Sequence, residues 1–303
     1  MLKISEHLSA DERQHVLRRS DLQAWWLVLS TWAAILGLLA LAAAFPHPLT
    51  ILMVWLLLPG RQLGLSVLMH EAGHNTLFAS RGLNQWVGQW LCALPTLNDL
   101  NGYATNHLDH HRLAGTAEDP DLANYQAYPV NRQSFWRKVI RDLTGQTGAK
   151  LIAALVLGGL SHFGGSTRPR SASLPKKVAV QVALAAVLML SGAGWVWWLW
   201  FGTLMTSYML VVRLRQVAEH AAVPDALDPD PRFNTRTVVA PRWQRWLMAP
   251  HCVNYHLEHH LMPGVPCYRL PAFRALLESK GLLAEVPAFN SYQQVLLHAV
   301  KWT

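Results

Sequence analysis

The chain has few charged side chains and few cysteines, and both shortages restrict what the protein can be. Only 15% of its 303 residues are charged, whereas 51% are apolar and 14 are tryptophans. Soluble globular domains carry about 25% charged residues. The three cysteines, Cys92, Cys252 and Cys267, form no CxxC pair, which argues against a thiolate zinc site, a disulfide framework and an iron–sulfur cluster. The composition indicates a chain that is partly embedded in lipid.

Charge is missing most completely from four segments, which we predict to be transmembrane helices at about 22–45, 48–69, 177–192 and 195–212. A helix of about 20 apolar residues crosses the roughly 30 Å hydrocarbon layer of a bilayer. Short uncharged turns join the segments into two hairpins. Basic residues flank the open ends of the hairpins, including Arg213 and Arg215 after the fourth segment, so the positive-inside rule places these ends in the cytoplasm.

A fifth apolar stretch, 151–165, is shorter than a membrane span usually is, and we expect it to lie in the interface or to pack on the bundle. The polar segments 70–150 and 213–303 then share one side of the membrane as a cytosolic cap. With no internal repeat or linker, residues 1–303 are predicted to form a single membrane domain, located in a bacterial inner membrane. The net charge of +8 is typical of cytoplasmic loops on an anionic leaflet, and no nucleic-acid motif accompanies it.

Histidine is abundant and clustered. The sequences HEAGH, HLDHH and HLEHH contribute His70 and His74, then His107, His110 and His111, then His256, His259 and His260. On a helix, positions i, i+3 and i+4 share one face, so each box can aim two or three imidazoles at one point. His220, after the fourth segment, is a ninth candidate. Because eight or nine imidazoles exceed what one metal ion can use, the pattern predicts two metals. Ordinary polar faces of cap helices are the alternative, and three boxes on one side of a membrane argue against it.

The remaining histidines lack this spacing, and we assign no metal role to His7, His15, His47, His162, His251 and His298.

The order HxxxH, HxxHH, HxxHH between two membrane hairpins resembles the integral-membrane fatty acid desaturase and hydroxylase family. The resemblance implies an all-α integral membrane fold, with four transmembrane helices in two hairpins and a cytosolic helical cap that carries a di-iron site. It implies two non-haem irons, with O2 as co-substrate. It assigns the ligands to His70, His74, His107, His110, His111, His220, His256, His259 and His260. Some relatives have an asparagine that binds iron through water where this chain has Gln216, which we expect to contact such a water.

Carboxylates beside metal ligands commonly accept the second imidazole N–H and fix its tautomer. Four carboxylates neighbour a metal histidine and are predicted to act in this way: Glu71, Asp109, Glu219 and Glu258, of which Glu258 and Asp109 are assigned to the site. Asp119, Asp121 and Asn254 are further candidates. The sequence has no GxGxxG element, haem domain or cysteine quartet, so electrons must come from a separate ferredoxin, rubredoxin or cytochrome-type protein.

Desaturation of an acyl-lipid or acyl-thioester is the predicted reaction. Hydroxylation or ketolation of an alkane, lipid or carotenoid is the alternative, because ligand spacing does not distinguish the two reactions. Two remoter alternatives remain. The first is an intramembrane zinc protease, because HEAGH matches the HExxH pattern with Glu71 as the base. The second is a metal carrier, which would also use histidines, although its ligands should lie at mid-membrane depth.

Overall fold

Helices dominate the computed structural model, which describes residues 4–157 and 174–302. In chain order they are α1 (Ile4–His7), α2 (Ala10–Leu17), α3 (Asp21–Ala44), α4 (Pro48–Gly73), α5 (Arg81–Val87), α6 (Leu100–Leu113), α7 (Leu122–Tyr125), α8 (Arg132–Leu143), α9 (Gln146–Leu157), α10 (Leu174–Leu190), α11 (Val196–Met205), α12 (Ser207–His220), α13 (Pro231–Asn234), α14 (Arg242–Met248), α15 (His256–Leu261), α16 (Leu270–Ser279) and α17 (Tyr292–Ala299). A π-helix covers Gly88–Ala93, and 3-10 turns cover Leu94–Thr96, Pro250–Cys252 and Cys267–Arg269.

The expected all-α architecture holds for the described residues apart from two short strands. β1 (Val130–Asn131) and β2 (Val300–Lys301) pair in parallel, joining the start of α8 to the end of α17.

The first predicted hairpin is formed by α3 and α4. Ser20 caps α3, and the connection of three residues, 45–47, turns the chain back into α4. Ile35 and Leu39 of α3 share a buried core with Val54 and Leu58 of α4. By length and composition, Ala10–Ala44, which contains α3, and Pro48–Gly73 are apolar enough to cross a membrane. Each contains a window of 18 residues whose mean hydropathy is high, 2.2 in the first and 1.6 in the second. These helices cover the first two predicted segments.

The second hairpin differs from the expectation in one respect. The third predicted segment corresponds to α10, but the fourth, 195–212, is not one continuous helix: the backbone leaves helical geometry at Thr206. The hydroxyl of Thr206 donates to the carbonyl of Gly202 at 2.7 Å and accepts the indole N–H of Trp55 at 3.2 Å. Side-chain hydroxyls that bond neighbouring backbone groups bend or interrupt helices. The prediction of a single helix for this segment was therefore wrong.

Part of the ambiguous stretch, 151–157, is the end of α9. The start of this helix packs on the end of α11 so closely that a Cβ at Gly148 would lie 2.5 Å from the carbonyl oxygen of Met205. This contact agrees with packing on the bundle. The rest of the stretch, 158–165, lies outside the described residues.

The ends of four helices meet on one side of the hairpins. His70 lies in the last turn of α4 and His74 is its C-cap, while His220 ends α12. The second box occupies the last half of α6, and the third box occupies α15, a short helix in which five residues are buried. The fold therefore brings histidines that are distant in the sequence to one place.

Candidate metal centre

The nine predicted histidines form two neighbouring groups. The five-histidine group contains His70, His74, His107, His111 and His259, and the four-histidine group contains His110, His220, His256 and His260. Within each group, the potential ligand atoms all lie within 4.8 Å of one another. The rings of His111 and His260, one from each group, have centroids 4.3 Å apart. Among the described residues, the histidines without a predicted metal role belong to neither group.

Each HxxHH box contributes to both groups, which the sequence reasoning did not foresee. His107 and His111 belong to the five-histidine group, whereas His110, between them in sequence, belongs to the other. The third box is arranged in the opposite sense, because His256 and His260 point to the four-histidine group and His259 to the five-histidine group. On a helix with 3.6 residues per turn, i and i+4 differ in direction by about 40°, but i+3 and i+4 differ by about 100°. Each box therefore aims two imidazoles at one group, as the expected two or three allow, and each HxxHH box directs its third imidazole to the other group.

Several imidazoles have a fixed Nδ1 partner. His70 Nδ1 lies 3.1 Å from the Glu71 carboxylate, and His110 Nδ1 lies 2.8 Å from the Asp119 carboxylate. His220 Nδ1 donates to the carbonyl oxygen of Asn234 at 3.2 Å. An imidazole that donates through Nδ1 leaves its Nε2 lone pair free for a metal, and such partners fix both tautomer and ring direction.

The Nε2 atoms converge as metal-bound nitrogens would. His220 and His256 bring their Nε2 atoms to 2.8 Å, and His111 Nε2 lies 3.0 Å from His107 Nε2 and 2.9 Å from His259 Nε2. Two nitrogens at right angles on one metal, with bonds of about 2.1 Å, lie about 3.0 Å apart. Lone pairs repel at this distance unless a cation or a proton lies between them. The donor set therefore fits two metal ions, one in each group.

Burial favours the neutral form, in which imidazoles bind metals, at most of these histidines. Burial, reinforced by neighbouring histidines, lowers the pKa of His74 and of His220 to about 3. Burial, and after it the neighbouring histidines, also holds the pKa well below the usual value at His107, His256, His259 and His260. A cation can thus approach these nitrogens without displacing a proton from most of them.

The two carboxylates singled out from the sequence have other partners in the structure. Glu258 is fully buried, but its carboxylate is 2.6 Å from the Arg274 guanidinium and accepts the hydroxyl of Thr237. Asp109 is on the outer side of α6, where it pairs with Arg112 at 3.1 Å. Among the carboxylates, Glu71 and Asp119 lie within hydrogen-bond distance of a histidine Nδ1. Sequence proximity to a ligand therefore identified Glu71, but it failed for Glu258 and Asp109, because adjacent helix positions point in different directions.

Sequence reasoning missed three residues that contact the histidines or the buried carboxylates near them. Tyr125 donates its hydroxyl to Asp119 and stacks on His220, with ring centroids 4.9 Å apart. Tyr103 stacks on His107 at 5.3 Å. Arg274 was also missed, because it lies beyond the last box. In the sequence, only the position of Tyr103 one turn before His107 could have suggested its role.

Gln216 lies where the sequence placed it, one turn before His220 on α12. It lines a cavity of about 300 Å³ next to His110, His220 and His256, on the side of the four-histidine group. Glu219 lines the same cavity, and burial raises its pKa to about 7 although Arg215 opposes this shift.

Comparison with known proteins agrees with this geometry. The sequence profile described as fatty acid desaturase matches residues 46–291. The chain belongs to the fatty acid desaturase family. It is 28% identical to the sn-1 oleoyl-lipid 12-desaturase of Picosynechococcus sp., over 86% of this chain and 79% of that protein. The dihydrorhizobitoxine desaturase of Bradyrhizobium elkanii is 26% identical over 74% of this chain and 65% of that protein. The β-carotene ketolase of Paracoccus sp. is 26% identical over 86% of this chain and 96% of that protein.

Family membership confirms the resemblance seen in the sequence. The protein is an oxidoreductase of lipid metabolism, and its apolar helices agree with a membrane protein. The family uses non-haem iron, and the two histidine groups provide ligands that could hold it. The HEAGH histidines take part in a five-histidine group rather than in a one-zinc protease site.

Proposed function

We propose that this desaturase is an O2-dependent di-iron enzyme that introduces a double bond into a fatty acyl chain of a lipid. The observation that carries the proposal is the pair of histidine groups, one of five and one of four residues. The potential ligand atoms of each group lie within 4.8 Å of one another, and three pairs of Nε2 atoms are 2.8–3.0 Å apart. The relatives named as lipid desaturases support the reaction class.

The nine histidines would hold the two irons, one in each group. Two irons bound there would supply the oxidising power, drawn from dioxygen, that removal of hydrogen from an unactivated methylene requires. Glu71 and Asp119 hold the Nδ1–H of His70 and His110, which keeps each Nε2 directed into its group. Gln216 faces the cavity beside the four-histidine group, where its amide can bind a water.

The proposed reaction requires an external electron donor. Conversion of –CH2–CH2– and one O2 to –CH=CH– and two waters takes four electrons, of which the substrate gives two. The other two electrons, with two protons from solvent, must come from a redox protein of the ferredoxin, rubredoxin or cytochrome type. An acidic donor suits the chain's net charge of +8.

We further propose that residues 1–303 form one membrane domain with four membrane-crossing segments and a cytosolic cap, located in a bacterial inner membrane. Large apolar side chains face outward not only on α3 and α4 but also on α10 and α11, where Val182 is 61% exposed and Trp198 70% exposed. Lipid is the solvent in which such surfaces are stable.

Thiol labelling tests this topology. In a background without Cys92, Cys252 and Cys267, we introduce one cysteine at the exposed position Pro46, Ser191 or Ala117. The first two lie at the hairpin tips and should react with an impermeant reagent on intact cells, whereas the third, in the cap, should react only after lysis. Labelling of all three on intact cells would contradict a cytosolic cap.

A hydroxylase or ketolase is the second candidate, favoured by the β-carotene ketolase that this chain matches over 96% of that protein's length. Both reactions begin with removal of one hydrogen atom. They differ in whether a second hydrogen leaves or oxygen is added.

The decisive experiment combines iron analysis with lipid analysis. The purified protein should contain two irons per chain, and lipids from cells expressing it should contain a new double bond that mass spectrometry can locate. His259→Ala should lose both iron and product, whereas His15→Ala, an exposed histidine outside both groups, should change neither. New oxygen in place of a double bond would favour the second candidate, and full activity of His259→Ala would contradict the proposed site.

A further inference from the structure

We infer that the lipid oxidised here carries a neutral hydrogen-bonding group, such as an amide or a hydroxyl, within a few bonds of the reacting carbons. This group would occupy the cavity beside the four-histidine group. The inference rests on the proposed function and specifies its substrate class.

The first observation is the position of the cavity. It is bounded by His107 of the five-histidine group and by His110, His220 and His256 of the four-histidine group, so a molecule inside it lies against both groups. Its volume of about 300 Å³ is at the lower end of the range of about 300–1,000 Å³ for ligand pockets. A compact group fits such a space.

The second observation is the chemistry of the cavity wall. Ligand pockets are lined mainly by apolar side chains with a few polar groups, but this wall contains Asn106, Arg215 and Gln216. Tyr208 is also in the wall, with its hydroxyl 2.7 Å from the hydroxyl of Ser66. An unsubstituted methylene chain would remove these groups from water without replacing their hydrogen bonds, which is unfavourable.

The third observation is that several of these groups have capacity to bind a ligand. Within residues 4–157 and 174–302, the side chains of Asn106 and Gln216 make no hydrogen bond to the protein. Arg215 pairs with Glu219 at 3.0 Å, and a guanidinium has five N–H donors, so donors remain for a substrate acceptor.

In the metal-free protein, the charges of the side chains in the wall favour a neutral group over an anion. The cation of Arg215 faces the carboxylate of Glu219, and Asp121 adds a second carboxylate to the wall. An anionic head group would meet these carboxylates, whereas an amide or hydroxyl can both donate to a carboxylate and accept from Arg215 or Asn106.

The spacing along α12 sets the distance between the polar group and the reacting carbons. Arg215 precedes His220 by five residues, about 7.5 Å along the helix axis at 1.5 Å per residue. A polar group bound near Arg215 therefore places carbons only a few bonds away beside the histidines.

The test compares three ligands with the same chain length: decanamide, decane and decanoate. Binding is measured by thermal stabilisation of the full-length, metal-free protein in detergent, so it does not depend on turnover. Decanamide should bind at least about tenfold more tightly than the other two, the effect of one good hydrogen bond. Asn106→Leu and Arg215→Met should each remove most of this preference. Asn101→Leu, the same change at an exposed position of α6 outside the cavity, should not.

The inference would be overturned if decane bound as tightly as decanamide, or if decanoate bound more tightly than decanamide. So would an unchanged preference in Asn106→Leu, an exposed substitution that should not disturb folding. In a second arm, the iron-loaded enzyme with a reductant should oxidise decanamide close to its carbonyl group. Oxidation far from the carbonyl would refute the inference but keep the proposed function, whereas preferential binding with no oxidation of any lipid would refute the proposed function.

Discussion

Replacement of Asp119 tests whether a carboxylate distant from the boxes in sequence sets metal affinity. Asp119 is 5% exposed. Its carboxylate lies 2.8 Å from His110 Nδ1, and it also accepts the hydroxyl of Tyr125 and the backbone N–H of Asp121. Asp119→Asn retains the shape and one acceptor oxygen but removes the negative charge.

The expected loss follows from this change of charge. A hydrogen bond to a charged group contributes about 1.5–3 kcal/mol and a neutral one about 0.5–1.5 kcal/mol. The difference of about 1–1.5 kcal/mol corresponds to iron binding weakened about tenfold. Asp119→Ala removes all three contacts and should approach the upper end of the range of about 10–100-fold that is typical for loss of such partners.

Iron retention is measured by titrating the purified variants with a chelator of known affinity. The matched control is Glu118→Gln, which neutralises the exposed neighbouring carboxylate and should leave iron affinity unchanged. Wild-type affinity in Asp119→Ala would refute the idea that this carboxylate directs His110. Equal losses in Asp119→Asn and Glu118→Gln would show a general effect of charge instead.

Two further substitutions separate folding from metal binding. Glu258→Gln should destabilise the protein by about 3 kcal/mol, which is the lower end of the cost of breaking a buried ion pair. The lower end is expected because Arg274 keeps its contact with Glu278 at 2.8 Å. Iron affinity, measured by chelator titration, should stay close to that of the wild type. Gly115→Ala should lower thermal stability for two reasons. The backbone at this position has φ +82°, and a residue with a side chain costs about 1–2 kcal/mol in this left-handed conformation. The added Cβ would also overlap the carbonyl oxygen of Asp228, so the total loss should exceed that amount.

Controls exist for both substitutions. Glu278→Gln removes the outer, half-exposed partner of Arg274 and should cost much less stability than Glu258→Gln. Gly281→Ala adds a Cβ at φ +72° in open space, so it measures backbone strain alone. Loss of iron without loss of stability in Glu258→Gln would restore this residue as a partner of the histidines, and equal effects of the two alanines would exclude an overlap at Gly115.

The sequence alone predicted much of this protein, because its strongest signals are local. An uncharged run such as 22–45 cannot be stable in water as an isolated helix, so its environment follows from composition. Histidines at i, i+3 and i+4 identify potential metal ligands without knowledge of the fold. Eight histidines are predicted from this spacing, and His220 is predicted from its position after the fourth segment. The structure brings all nine together.

Only the tertiary structure decided how these histidines are divided and supported. Helix geometry separates the i+3 histidine of each HxxHH box from the i and i+4 pair, but the group that each part reaches depends on how α6 and α15 are rotated relative to one another. The break at Thr206 depends on a contact with Trp55 from another helix. Asp119 reaches His110 because the loop after α6 folds back, whereas Glu258, adjacent to a ligand in sequence, faces Arg274. Spacing along single helices was thus enough to identify most of the candidate ligands, but pairing between side chains of different segments depended on how those segments pack.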